Sequence, residues 1–171
     1  MSAPYPRRYS ASLNRTFASR ALAAAPPRPV LHSGSAQELD GDVDVRSPEH
    51  MLLSSLGLCL LTTFQAFATR DGIDIHAWNA KASGTVEPTP EGVAFTSIVL
   101  EIDMEITGNV DRVEDTLEDA KQYCLVLNSL RIPVVVETQL RTPDSTLDLY
   151  DIPADLPPPC APRLVAHRHA S

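Results

Sequence analysis

Three cysteines in 171 residues are an odd number at wide spacing, and no two of them stand as Cys-x-x-Cys. A secreted disulfide framework needs a denser, even set, and a structural zinc site needs closely paired ligands, so neither is expected. The N-terminus lacks a continuous apolar stretch, which argues against a secretory signal. Acidic residues are also missing from residues 1–37, which hold Arg7, Arg8, Arg15, Arg20 and Arg28. Since the whole chain has a formal charge of -8, the remainder carries -13. A body this acidic repels phosphate backbones, so no nucleic-acid partner is expected. The acid-free, Arg- and Ser-containing opening has the composition of a mitochondrial transit peptide, but the same residues can form opening strands, and a cytoplasmic location is the default. Aromatic residues are scarce at 5%, against an ordinary 43% hydrophobic content. A chain of this length and composition makes one domain with a real core rather than two.

The sequence does hold one long apolar run, Ser47–Asp71. Ser47 followed by Pro48 predicts a helix start: the hydroxyl caps free amides, and proline fits the first helical position. No charged side chain occurs from Met51 to Ala68, and leucine, alanine or phenylalanine appears on every side of the helix. Such a helix is expected to be buried all round. Its length is near that of a membrane span, but Ser54, Ser55, Thr62, Thr63 and Gln65 interrupt it, so a core helix is expected and no membrane contact. A small domain has difficulty wrapping it alone, and a dimer that buries it between two sheets is the economical solution.

Around this helix the pattern is mixed. Weak alternation near Tyr9–Leu22 and Val30–Ser33 suggests edge strands, and Ser35–Arg46 reads as a loop. Asp71-Gly72 is a stop signal, followed by a strand from Ile73 towards Val86 and a hairpin connection at Pro88–Gly92. Ile98, Leu100, Ile102, Met104 and Ile106 alternate with Val99, Glu101, Asp103 and Glu105, as in an antiparallel sheet with one wet face. Val113, Leu117, Ala120, Cys124 and Leu127 form one stripe of a second helix over Asn109–Leu130. Ile132–Leu140 is a closing strand. Beyond it, residues 143–171 contain six prolines and no periodicity, and read as an irregular tail with Cys160, His167 and His169 in it. The fold class is α+β.

Cys59 on the first helix and Cys124 on the second are either small core hydrophobes or a redox pair, the latter if their Cα atoms come within roughly 7 Å. Spacing does not choose between these.

The stretch SPEHMLLSSLGLC resembles the helix-start motif of the OsmC/Ohr family, commonly Asn/Ser-Pro-Glu-x-Leu-(x)-Ala-Ala-x-x-x-Cys, through Ser47, Pro48, Glu49, Leu52 and Cys59. The second cysteine, in AKQYCLVLNSL, stands where the family has its second reactive cysteine. The resemblance runs from about residue 30 to 141, and implies a domain over 1–142 (its first 28 residues weakly patterned) followed by the tail at 143–171. It further implies an OsmC-like fold, with an antiparallel sheet, a long buried central helix and a second amphipathic helix, as an intertwined homodimer. It implies reduction of organic hydroperoxides without metal or organic cofactor: Cys59 becomes a sulfenic acid, Cys124 condenses with it to a disulfide, and an external dithiol reduces that disulfide. Leu56, Leu60, Phe64 and Leu127 are the expected apolar walls for such a substrate. The alternative is a non-catalytic OsmC-like dimer, a stress-response or small-molecule-binding protein with its cysteines kept in the core.

A thiolate at neutral pH needs a nearby cation, and Cys59 is too far along its helix to gain much from the N-terminal dipole. The family uses an arginine held by the motif glutamate, here Glu49. Ten residues of helix rise about 15 Å, so Glu49 is expected to act through an arginine or across a dimer interface. Arg15, Arg20, Arg28 and Arg46 are the candidates. Leu125 stands where many peroxidase members have proline.

Overall fold

The computed structural model describes residues 7, 9–15, 20–36, 41 and 44–142, without the side chains of Asn14 and Arg15. The expected tail, with Cys160, His167 and His169, lies outside the described residues.

Ser47 is the N-cap of helix α1 (Pro48–Asp71), and its side chain accepts from the His50 amide. Gly72 ends the helix in the left-handed region at φ 72, with its N–H donating to the Ala68 carbonyl. Both ends therefore follow from local chemistry. Strand β4 (Ile73–Thr89) leaves directly from this cap, turns at residues 90–91, and returns as β5 (Gly92–Gly108) in one long antiparallel hairpin. Gly108 has φ 87, and its Cα lies so close to Gly72 that a Cβ would meet the Gly72 carbonyl oxygen at 2.3 Å. The Asn109 amide donates to that same carbonyl at 3.0 Å, which fixes the foot of the hairpin against the helix end.

The alternating residues of β5 do what their period predicts. Ile98, Leu100, Ile102, Met104 and Ile106 are all buried, with Leu56, Leu60, Phe64 and Ala68 of α1 in the same core cluster. Each such Leu, Ile or Phe contributes roughly 1.5–3 kcal/mol by leaving water. A 3-10 turn (Val110–Arg112) leads to α2 (Val113–Tyr123), α3 (Leu125–Ser129) and strand β6 (Val134–Arg141). β6 pairs with β5 in parallel, giving a sheet of order β4-β5-β6. The antiparallel expectation thus holds for the hairpin and not for the last strand, whose helical crossover brings it back in the same direction.

Two expectations are corrected. The helix expected over 109–130 breaks at Cys124, which is extended at φ -72, ψ 107 and separates α2 from α3. No proline forces this. The Asn128 side-chain amide instead donates to the Gln122 carbonyl at 2.7 Å, taking up an acceptor that the break exposes. Second, α1 is not covered on all sides within one chain. Its fully buried residues form the single row Leu56, Leu60, Phe64 and Ala68, while Leu58 is 62% exposed. By length and composition the helix could cross a bilayer, but here that buried row lies in the core with β5.

The N-terminal segment forms a separate antiparallel sheet, β1 (Ser12–Arg15), β2 (Arg20–Ala24) and β3 (Leu31–Gly34). Its strands lie chiefly against one another. A parallel bridge joins Ser33 to Arg46, and the Ser33 hydroxyl donates to the Arg46 carbonyl at 2.9 Å. Leu13 and Leu31 are exposed. A three-stranded sheet with so little buried on either face needs cover from elsewhere.

Candidate functional site

Three levels of contact join α1 to the segment that follows the hairpin. At the C-terminal end of α1, Arg70 donates from Nε to Asp71 Oδ1 at 2.6 Å, and from Nη2 to Asp71 Oδ2 and Asp119 Oδ2 at 2.7 Å each. The fully buried Thr116 hydroxyl donates to Asp71 Oδ2 at 2.8 Å and shares its proton with the Arg112 carbonyl. Arg70 first and Thr116 second hold the Asp71 carboxyl down at about 2, against an ordinary 3.8. One turn back along α1, the Arg70 guanidinium lies 4.7 Å above the Phe67 ring, which in turn lies 5.5 Å from the Tyr123 ring.

The depressed Asp71 carboxyl makes a pH prediction. A group whose folded pKa is lowered contributes its stability above the unfolded value, and that contribution drains away as pH falls through the folded value. The melting temperature of the wild type is therefore expected to fall between about pH 4 and pH 2 more steeply than that of Asp71→Asn. Thermal scans across that range read the difference, and equal slopes would remove Asp71 as the cause.

The third level is the thiol pair. Cys59 lies on α1 and is half-buried, Cys124 lies at the α2–α3 break and is fully buried, and both are free thiols. Cys59 is near enough to Cys124 to raise the pKa of its thiol. Burial first, and the neighbouring Cys59, raise the Cys124 thiol against the opposing pull of the Leu127 and Val126 backbone amides, leaving it at about 11 from an ordinary 9.0. The Thr62 and Thr63 hydroxyls both donate to the Cys59 carbonyl, at 3.0 and 2.8 Å. The two thiols are neighbours in the fold, and burial of Cys124 fits the core reading of that residue.

Glu49 sits in the first turn of α1. Contact with Ser47 and then its own backbone amide hold its carboxyl below the usual range. Its Oε2, however, is buried and has no hydrogen-bond partner among the described residues. His50 is exposed, with Nδ1 2.8 Å from the Ser47 hydroxyl. His76 is also exposed, with Nε2 2.7 Å from Thr107 Oγ1. Of the four candidate arginines, Arg20 heads β2 and Arg28 lies in the turn between β2 and β3. Arg46 is exposed at the entrance of α1, and the Arg15 side chain is outside the described set. The elements substantially in contact with α1 are β4, α2 and α3, which carry none of these four.

The expected apolar walls need correction. Leu56, Leu60 and Phe64 are fully buried in the core. The open groove, of about 380 Å³, lies instead on another flank of α1, between His50, Leu53, Gly57 and Leu61 and the β4 residues Trp78 and Ala80. Trp78 Nε1 is buried there without a partner among the described residues. Sequence reading missed Trp78, Arg70, Thr116 and Asn128, whose roles depend on partners distant in the chain. Among the described residues, no group of three or more His, Cys, Asp or Glu is arranged to hold a metal.

A family model for OsmC-like proteins matches residues 41–139. No curated protein matches the chain. Among solved structures, an OsmC-like protein of unknown function from Vibrio cholerae superposes with TM-score 0.72 at 15% identity, over 78% of this chain and 100% of that one. An OsmC-like protein from Mycoplasma pneumoniae gives 0.71 at 16% identity, over 80% of this chain and 99% of that one. An organic hydroperoxide resistance protein OsmC from Legionella pneumophila gives 0.60 at 19% identity, over 79% and 98%. At these identities the structures speak for the fold, and the family model carries the assignment across both thiols and Glu49. With the family model matched over residues 41–139, more than half of the sequence, the chain belongs to the OsmC-like family.

Proposed function

We propose that this protein is a thiol-dependent peroxidase that reduces organic hydroperoxides to alcohols, works as a homodimer and draws its electrons from an external dithiol. The observation that supports this reading is the contact between a half-buried Cys59 thiol and a fully buried Cys124 thiol. Cys59, as thiolate, attacks the terminal oxygen of the hydroperoxide; an S–O bond forms, the O–O bond breaks, and the alkoxide leaves with a proton as the alcohol. The Cys124 thiol then attacks the Cys59 sulfenic sulfur, an S–S bond forms, and water leaves. The external dithiol, oxidised in its place, returns both cysteines to thiols. The high pKa of Cys124 suits it to the second role, since it stays protonated while Cys59 reacts. A cytoplasmic setting keeps such dithiols reduced.

The activating cation is the remaining requirement. Glu49 offers a buried oxygen without a partner among the described residues, and four candidate arginines lie on or beside a sheet that the other described residues scarcely cover. A second copy meets both needs: its N-terminal sheet brings an arginine to Glu49, and the open flank of α1, with Leu58 exposed, is closed. The apolar Val126 and Leu127 beside the thiol pair favour an organic peroxide over hydrogen peroxide.

Consumption of cumene hydroperoxide with dithiothreitol, compared with hydrogen peroxide, tests the activity, and sedimentation tests the assembly. The reading requires faster turnover of the organic peroxide and a species of twice the 18.6 kDa chain mass. No turnover above the protein-free rate would overturn it.

A further inference from the structure

We propose that the Arg70–Phe67–Tyr123 stack is a positioning clamp for Cys124, so that its integrity sets the rate at which the two sulfurs join. The proposal rests on the reading of Cys59 and Cys124 as a reacting pair and names what holds that pair in place.

Cys59, Thr63, Phe67 and Asp71 recur at four-residue intervals, which places them on one flank of α1. Thr116 and Ala120 recur in the same way on α2, with Cys124 next in the row at its end. The rows run in opposite directions and meet at three levels: Asp71 with Thr116, Phe67 with Tyr123, and Cys59 with Cys124. From Asp71 back to Cys59 is about 18 Å of helix, and from Thr116 to the end of α2 about 10 Å. The ionic level therefore stands far from the thiols and reaches them through the aromatic level between.

Beyond Cys124 the support comes from Val126 and Leu127 against the core and from the Asn128 backbone amide, which donates to the Cys124 carbonyl at 3.0 Å. The helix breaks at Cys124, α3 is only five residues long with none of them buried, and Leu125 is 61% exposed. On the other side the sulfur is held by the last turn of α2, where Tyr123 immediately precedes Cys124. Tyr123 is 65% exposed and rests against Phe67. The face of Phe67 is in turn occupied by a guanidinium that both Asp71 and Asp119 hold in place. Asp119 belongs to α2, so Arg70 ties α2 to α1 directly and braces the aromatic pair as well.

The test reads the closure step by itself and uses no peroxide. In a Cys160→Ser background, the aromatic disulfide dithiobis-nitrobenzoate first reacts with Cys59. A mixed disulfide forms and one thionitrobenzoate leaves. Cys124 then attacks the Cys59 sulfur, the Cys59–Cys124 bond forms, and the second thionitrobenzoate leaves. Stopped-flow absorbance separates the two releases. In Tyr123→Ala and in Arg70→Gln the second release is expected to slow about tenfold or more, and the first to stay within about twofold of wild type. Tyr123→Phe, which keeps the ring, is expected to close at the wild-type rate. A second release at the wild-type rate in folded Tyr123→Ala would overturn the proposal. If the wild type closes here but cumene hydroperoxide leaves its thiols untouched, the peroxidase reading falls and the clamp stands.

Discussion

Cys59→Ser is expected to reduce hydroperoxide turnover by about a thousandfold or more, to the rate of the dithiol alone. A serine hydroxyl at neutral pH is not ionised and cannot break an O–O bond, whereas a thiolate can. The substitution is nearly isosteric, and Cys59 lies at the edge of the core rather than inside it. A thermal midpoint close to wild type should therefore accompany the loss of activity. Peroxide consumption with dithiothreitol checks the first expectation and calorimetry the second. Full activity in Cys59→Ser would move the chemistry to another residue.

Gly108→Ala is expected to have the largest effect on stability. At φ 87 the backbone disfavours any side chain, and the added methyl would lie 2.3 Å from the Gly72 carbonyl oxygen. That oxygen cannot yield cheaply, because Gly72 caps α1 and its carbonyl accepts the Asn109 amide. Left-handed strain and the steric conflict together cost about 3 kcal/mol or more. For a chain of this size that lowers the melting temperature by about 10 °C. Gly72→Ala provides the comparison: it has a similar φ of 72 but nothing within 4 Å of the new methyl. A smaller loss there than at Gly108 separates strain from collision, and equal losses would contradict the close approach.

Local chemistry made much of this fold legible from sequence. Ser47-Pro48 and Asp71-Gly72 bound α1 because caps act within a few residues. The alternation of Ile98 to Ile106 predicts the core face of β5 because a strand has a period of two wherever it pairs. The period, though, says nothing of strand direction, so the parallel return of β6 was not visible in it. It also runs unbroken through Val113, Leu117, Ala120, Cys124 and Leu127, although the helix does not. At the break the Asn128 amide reaches back to the Gln122 carbonyl, and a hydrophobic stripe carries no record of that bond. The N-terminal strands were faint for a different reason: they bury little in their own chain, so selection for a core face leaves little alternation in them. Composition likewise showed that α1 is apolar all round without showing which side its own chain leaves open. Both thiols and Glu49 were legible as candidates. The Cys59–Cys124 contact was not, since it joins residues far apart in sequence through two helices.

That contact is the centre of the account, and intact-protein mass spectrometry after one equivalent of cumene hydroperoxide tests it most directly. The Cys160→Ser chain should lose two hydrogens in mass, and peptide mapping should place a disulfide between Cys59 and Cys124. Two free thiols after complete mixing, or a stable oxygen adduct on Cys59 with Cys124 still reduced, would contradict it.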